Sequence, residues 1–240
     1  MRSLSLLFLL LLAAAPETGL AQQTSASPPN ILWLSAEDLS ARLGSYRDAT
    51  ARTPTLDQLA GEGMRFTNAY VTLPICAPAR SAIITGMYQN AIGTMHMRTT
   101  EDRAAELPGP YLAVPPHYVK AFPEYLRAAG YYTTNNSKTD YQFGTPFTIW
   151  DESSGQAHWR NRPDPEQPFF AVFNFTGTHE SQVWPDSPAR RDRPLVTDPA
   201  AVEVPPYYPD TPAVREDLAR HYDNIADLDA WVSRLLAQPE

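Results

Sequence analysis

The sequence predicts an α/β protein, a mainly parallel sheet covered by helices on both faces. Two observations carry this expectation. Short apolar runs of strand length, Asn30 to Leu34, Tyr131 to Asn135 and Phe169 to Phe175, alternate with segments bearing helix start and stop signals. Near the end of the chain, Val214, Leu218, Tyr222, Ile225, Leu228, Val232 and Leu235 recur at spacings of three and four, an apolar helix face that needs a sheet to cover. In such a fold the functional groups collect at the C-terminal ends of the strands.

In chain order, Met1-Arg2, the apolar run Leu4 to Leu12 and the small residues Ala13 to Ala15 and Gly19-Leu20-Ala21 read as a secretory signal peptide over 1–21, followed by a polar lead-in over 22–29. The run is too short for a permanent membrane anchor. No later segment is apolar enough to cross a bilayer, so the mature chain is expected to be secreted or periplasmic. Asn30 to Leu34 is the first strand, and its tip carries the acids Glu37 and Asp38. Thr53 is the expected cap of a helix with Pro54 in its first position and Gly61 and Gly63 as its stop. Met64 to Ala69 resembles a strand, Ser81 to Met87 a helix opened by the loop that holds Cys76, and Ala121 to Ala129 a helix ended by Gly130. The strands Tyr131 to Asn135 and Phe169 to Phe175 follow. Pro185 to Pro212, crowded with Pro, Asp and Arg, reads as a long surface excursion, after which Thr211-Pro212 caps the final helix.

A chain of 240 residues that is 43% hydrophobic can build a core, and a formal net charge of -8 without a clustered Lys/Arg face argues against nucleic-acid binding. Cys76 is the single cysteine. It cannot staple the fold by itself, so it is buried and inert, paired with another chain, or kept for chemistry. Glu37 and Asp38 at a strand tip are hard oxygen donors that suit Ca²⁺ or Mg²⁺, and equally a solvated loop pair.

Cys76-Ala77-Pro78-Ala79-Arg80, followed by Ser81 and Thr85-Gly86, resembles the signature of the formylglycine-dependent sulfatases. The likeness extends over Asn30 to Asp38, Thr53-Pro54 to Leu59, Phe66 to Tyr70 and Tyr222 to Leu235, in the family's order. It implies an alkaline-phosphatase-like α/β/α sandwich, of which 30–240 would be the N-terminal part of the catalytic domain, truncated at its C-terminal side. It further implies that Cys76 is oxidised to formylglycine by a formylglycine-generating or equivalent maturase. Hydrated, this residue would offer one hydroxyl to attack sulfur and a second to expel sulfate afterwards. By the same resemblance Glu37, Asp38 and the modified Cys76 would hold Ca²⁺, with Mg²⁺ as the alternative, and Arg80 would steady the diol or the metal. Lys138 would grip sulfate, and His179 would contact sulfate or protonate the leaving oxygen, a task suited to a near-neutral imidazole.

Two positions depart from the family pattern. Glu37 stands where an aspartate is usual. Asp140, in "NNSKTDYQFG", stands where many members carry a histidine two residues after the lysine, and is a candidate for a substrate hydroxyl or amine; His96, in "IGTMHMR", is a second substrate-pocket candidate. The sequons at Asn135 and Asn174 lie at strand ends beside the site and read as chance. "TNNSKTDY", "WRNRP" and "FNFTGTHES" look most like the branch of heparan N-sulfatase and bacterial glycan sulfatases, which implies a sulfated carbohydrate substrate. The family's further metal ligands come from strands downstream of the last helix, so the site is expected to be under-coordinated, the chain inactive alone, and the face of the last helix partly uncovered. Two other readings stand beside this one. A phosphohydrolase of the same fold would want a Ser or Thr nucleophile, and a decayed sulfatase fragment would act as a binding module.

Overall fold

The computed structural model describes residues 27–97 and 111–239; the signal segment 1–21 and most of the lead-in lie outside the described residues. Four strands, β1 (Ile31–Ala36), β2 (Tyr132–Asn136), β3 (Glu152–Ser153) and β4 (Phe169–Phe175), form one parallel sheet in the order β1-β4-β2-β3. β4 lies inside it, pairing with β1 from Ile31↔Phe170 to Ala36↔Phe175 and with β2 from Tyr132↔Phe169 to Asn136↔Phe173. A strand covered on both faces reads as a continuous apolar run, and FFAVF at the start of β4 is buried throughout.

The helices are α1 (Pro54–Glu62), α2 (Cys76–Thr85), α3 (Phe122–Ala128), α4 (Pro188–Arg191) and α5 (Pro212–Leu236). Phe170 and Val172 of β4 face Ile84 of α2 and Phe122 and Leu126 of α3. Phe169, Ala171 and Phe173 point the other way, onto Trp159 and onto Trp231 and Leu235 of α5. These two layers give the α/β/α sandwich that the sequence implied. No helix of the described residues is long and apolar enough to cross a membrane.

Several expectations are corrected. Met64 to Ala69 is not a strand but irregular chain with Met64 and Phe66 exposed; among the described residues no strand pairs with it, and Tyr46 Oη (2.8 Å to Phe66 O) and Arg65 (to Ser45 O) tie it to the turn at Gly44–Tyr46. The Cys76 helix begins at Cys76, five residues before the expected start, because Pro78 lies in the first turn, where N–H groups have no intrahelical partner to lose. Gly86 closes it in the left-handed conformation at φ 66°.

Thr53 does not cap α1 with its side chain, since its hydroxyl accepts from Gly44 N (3.0 Å) and donates to Asp57 Oδ1 (3.1 Å). Asp229 of α5 takes that role, accepting from Thr55 N (3.2 Å) and Leu56 N (2.9 Å). The apolar face of α5 is covered from Tyr222 onward, while Val214 and Leu218 near its start are half-buried beside an open hollow. Leu195 and Val202 of the excursion and Leu39, Leu43 and Ala51 of the loop after β1 pack on its first half, and Ile225, Leu228, Val232 and Leu235 are buried.

β2 is a polar strand inside the core, with Thr133, Thr134 and Asn135 buried. Thr133 is satisfied by Asp151, whose Oδ2 accepts from Thr133 N (2.9 Å), while Oδ1 receives Arg127 from α3 (2.6 Å).

Candidate active site

The C-terminal ends of β1, β2 and β4 are laced together by Asn174 at the tip of β4. Its Oδ1 accepts from Ser35 Oγ of β1 (2.8 Å) and from Arg80 Nη2 of α2 (2.8 Å), and its Nδ2 donates to Asn135 Oδ1 (2.9 Å) and Asn136 O (3.2 Å) of β2. Every polar atom of that amide is used, and Asn135 is 1% exposed, so neither sequon asparagine presents a free side chain.

Arg80 lies one helical turn after Cys76, hence on the same face of α2. Its guanidinium does not stand free. Besides Asn174 it binds Lys138 O (2.5 Å) and Thr139 O (2.9 Å), so its planar fork clamps the loop after β2 to the helix that carries the cysteine. Tyr141 adjoins it; burial pushes that phenol up to about 12, against the pull of the Arg80 charge, and keeps it neutral.

The clamped loop delivers Lys138. Its ammonium donates to Glu37 and lies 3.4 Å from Asp140 Oδ2, with both carboxylates largely buried. Asp38 and Asp140 hold left-handed backbone, φ 49° and φ 52°, a conformation that costs a non-glycine residue energy and that aspartate tolerates better than most. Asp38 Oδ2 accepts from Glu180 N (2.8 Å), which ties the loop after β1 to the loop after β4. On that second loop His179 Nδ1 accepts from Ser181 N (3.2 Å), so the proton of the neutral ring sits on Nε2. Glu37, Lys138, Thr176, His179 and Ser181 line one open basin.

The structure thus joins Glu37, Lys138 and Asp140 directly, and Arg80 through the Lys138 carbonyl. Asp38 and His179 join the same rim. Cys76 is a free, partly buried thiol at the first position of α2. His96 is exposed, with its ring edge-on to Tyr111 at 6.1 Å, and among the described residues no contact links it to the basin. Ser35, Asn135, Asn174 and Ser181 were missed as site residues. For the first three the one signal is polarity at the ends of strands that are otherwise buried, while Ser181, in the turn Glu180–Val183 beyond β4, has none.

The donor chemistry of Glu37 and Asp38, anionic hard oxygens at a sheet edge, fits a hard divalent cation. Among the described residues no group of three or more His, Cys, Asp and Glu side chains converges on a point that could hold a metal ion. Nearby, burial first and then the Arg42 charge push His221 of α5 down to about 4, against Asp38, which raises it.

Fold and cluster together define the class: an α/β protein with a parallel sheet and its charged groups at the C-terminal ends of the strands. The family follows from comparison with known proteins. The Sulfatase family model matches residues 29–166, more than half of the chain, and the chain belongs to the sulfatase family. It is 45% identical to an ulvan-active sulfatase of Formosa agariphila over 88% of this chain and 41% of that protein. It is 26% identical to the human N-sulphoglucosamine sulphohydrolase over 89% of this chain and 47% of that one. The chain therefore spans less than half the length of these relatives. Among solved structures, the phosphonate monoester hydrolase of Agrobacterium radiobacter superposes with a TM-score of 0.63 at 15% identity, covering 87% of this chain and 58% of that one, a likeness of fold.

Proposed function

We propose that the protein is a sulfuric ester hydrolase acting on a sulfated sugar, with Cys76 as the precursor of its nucleophile. The observation that carries this reading is the placement of Cys-x-Pro-x-Arg. The cysteine opens α2, and the arginine one turn later grips the loop that presents Lys138 to Glu37 and Asp140. An encoded thiol is a poor agent for attacking sulfate; oxidised to an aldehyde by a maturase and hydrated, the residue would supply an oxygen nucleophile whose second hydroxyl allows release of sulfate.

The remaining duties fall to side chains of this chain. Sulfate repels nucleophiles by its charge, so positive groups must be in place before attack. Lys138 is such a group, held by Arg80 through its carbonyl and by two carboxylates at its ammonium. Glu37 and Asp38 would hold a divalent cation, Ca²⁺ or Mg²⁺, which when bound supplies further screening of that charge. His179, whose Nδ1 lies 2.8 Å from Ser181 Oγ, can as an imidazolium pass a proton from Nε2 to the oxygen that leaves as the S–O bond breaks, and is left as the neutral ring. Asp140, packed against Lys138, fits a positioning role for that ammonium better than a substrate-reading one. His96 is left without a role in the basin.

The reading includes export, by the signal-like segment over 1–21, and a glycan substrate, in keeping with the sulfatases of sulfated sugars among the relatives. Its test is twofold. The Cys76 peptide from protein secreted by its own host is expected to carry an aldehyde by mass. The full-length protein is expected to release sulfate from sulfated sugars, including glucosamine N-sulfate or 6-O-sulfated hexosamine, with Cys76→Ala inactive. An unmodified thiol in protein that still releases sulfate would refute the nucleophile, and activity confined to aryl sulfates would refute the glycan substrate.

A further inference from the structure

A second hollow lies against the charged basin and has no part in the reading above. Asp38, Thr178, Glu180, Tyr208, Asp217 and His221 line it, so it runs between the loop after β4, the first half of α5 and the end of the Pro-rich excursion. The two hollows share a wall. Glu37 and His179 line the basin, while the next residue of each, Asp38 and Glu180, lines the second hollow, and the 2.8 Å hydrogen bond between these two closes the partition.

Three features suit this hollow to a sugar ring. Tyr208 is 51% exposed, with Tyr207 at 4.9 Å between ring centroids, and so offers a flat aromatic surface to the C–H face of a pyranose. Thr178 is fully buried, yet its Oγ1 has no hydrogen-bond partner among the described residues. A hydroxyl in that state is unfavourable until something bonds to it, and Thr178 stands in the wall of the hollow. The other polar lining is rich in acceptors. Glu180 is exposed, and Asp217 gives Oδ1 to Arg190 and keeps Oδ2 open among the described residues.

The hollow is the more acidic of the two, since Glu37 offsets Lys138 in the basin. Lys138 and His179 line the basin. No Lys or Arg is in the lining of the hollow, where Asp38, Glu180 and Asp217, the last paired with Arg190, stand among the apolar Val183, Val214 and Leu218. A neutral hexose or a hexosamine brings hydroxyl or ammonium donors to those acceptors. A uronate or a second sulfate would place its charge against Glu180 and Asp217.

We propose that this hollow is the subsite for the sugar next to the sulfated one, and that it takes a neutral or amino sugar and rejects an anionic one. The inference rests on the basin reading for the identity of the neighbouring residue, while ring binding in the hollow does not depend on it.

The test therefore uses unsulfated probes. Tetrasaccharides of glucosamine, N-acetylglucosamine and galacturonate are titrated into the full-length protein, with calorimetry and saturation-transfer NMR as readouts. The first two are expected to bind and the third not. Tyr208→Ala is expected to weaken binding at least tenfold at an unchanged thermal midpoint, and to leave turnover of a small aryl sulfate intact. Glu180→Gln combined with Asp217→Asn is expected to weaken the glucosamine oligomer and admit the galacturonate one. Equal affinity for the galacturonate and N-acetylglucosamine oligomers, absence of binding by all three, or a Tyr208→Ala protein that binds like wild type would each overturn the proposal. Because no probe carries sulfate, the basin reading fails separately: its failure is loss of sulfate release with tetrasaccharide binding intact.

Discussion

Replacing Asp229 should destabilise the protein by capping loss alone. Asp229 is 5% exposed, and its carboxylate accepts the Thr55 and Leu56 N–H groups at the start of α1, at 3.2 and 2.9 Å. Thr53 cannot take over, because its hydroxyl is already committed to Gly44 N and Asp57. A hydrogen bond to a charged group is worth about 1.5–3 kcal/mol, and a carboxylate at a helix N-terminus adds about 0.3–1 kcal/mol. With the longer bond discounted, Asp229→Ala is expected to cost about 3 kcal/mol. Asp229→Asn keeps an acceptor without the charge and is expected to cost about half as much on the same scale. For a chain of this size the alanine variant should unfold about 6–12 °C lower, measured by differential scanning calorimetry beside a denaturant titration. A loss below about 1 kcal/mol would mean that water caps α1 as well as the carboxylate does, and would refute the assignment. Equal losses for Asn and Ala would refute the role of the charge.

Three further outcomes are expected. Arg80→Lys can satisfy one of the acceptors that the guanidinium joins, so Lys138 should drift; sulfate release should fall about 10²-fold, mainly in kcat, as expected for a misplacement near 1 Å, while KM changes little. Asn174→Ala leaves Arg80 and Asn135 each short of a partner and should cost about 2 kcal/mol, read by denaturant unfolding, with Asn174→Asp recovering the bond to Arg80 but not the one to Asn135. Burial opposes ionisation of Asp223, but the Val196 N–H, Thr197 and Arg52 outweigh it and hold this carboxyl below the ordinary 3.8. A depressed folded pKa contributes stability that is present above the unfolded value and lost as pH falls through the folded one. Acid titration of the thermal midpoint should therefore show a loss beginning near pH 4 that is smaller in Asp223→Asn.

The sequence revealed those parts of the fold that repeat a local signal. The runs that became β1, β2 and β4 and the three-and-four spacing of α5 were legible because burial on one or both faces dictates residue type at each step. Met64 to Ala69 carried the same kind of signal without a neighbour to pair with, and no local pattern records that lack. β3, only two residues long, is too short to have a pattern. Within the site, Glu37, Lys138 and His179 could be picked out because each follows a strand end. The Arg80 clamp, the Asn174 lacing and the Asp229 cap were hidden. Each joins residues 38 to 174 positions apart, and a single sequence holds no trace of such distances. Asp140 illustrates the limit: its residue type invited a substrate role, and its 3.4 Å approach to Lys138 could not be read from the sequence.

The order in which the sheet is assembled sets a clock for Cys76. β4 is the strand that joins β1 to β2, and it is synthesised about a hundred residues after the cysteine. At roughly 5–20 residues per second, that interval lasts roughly 5–20 s, during which α2 has no sheet to lie on. Once it docks, Ala77 and Pro78 are fully buried, and the motif can no longer be read as extended chain. A modifying enzyme that reads the bare segment has to act on the nascent or unfolded protein. Native protein offered to it afterwards should remain a thiol, and the same protein, denatured, should become a substrate.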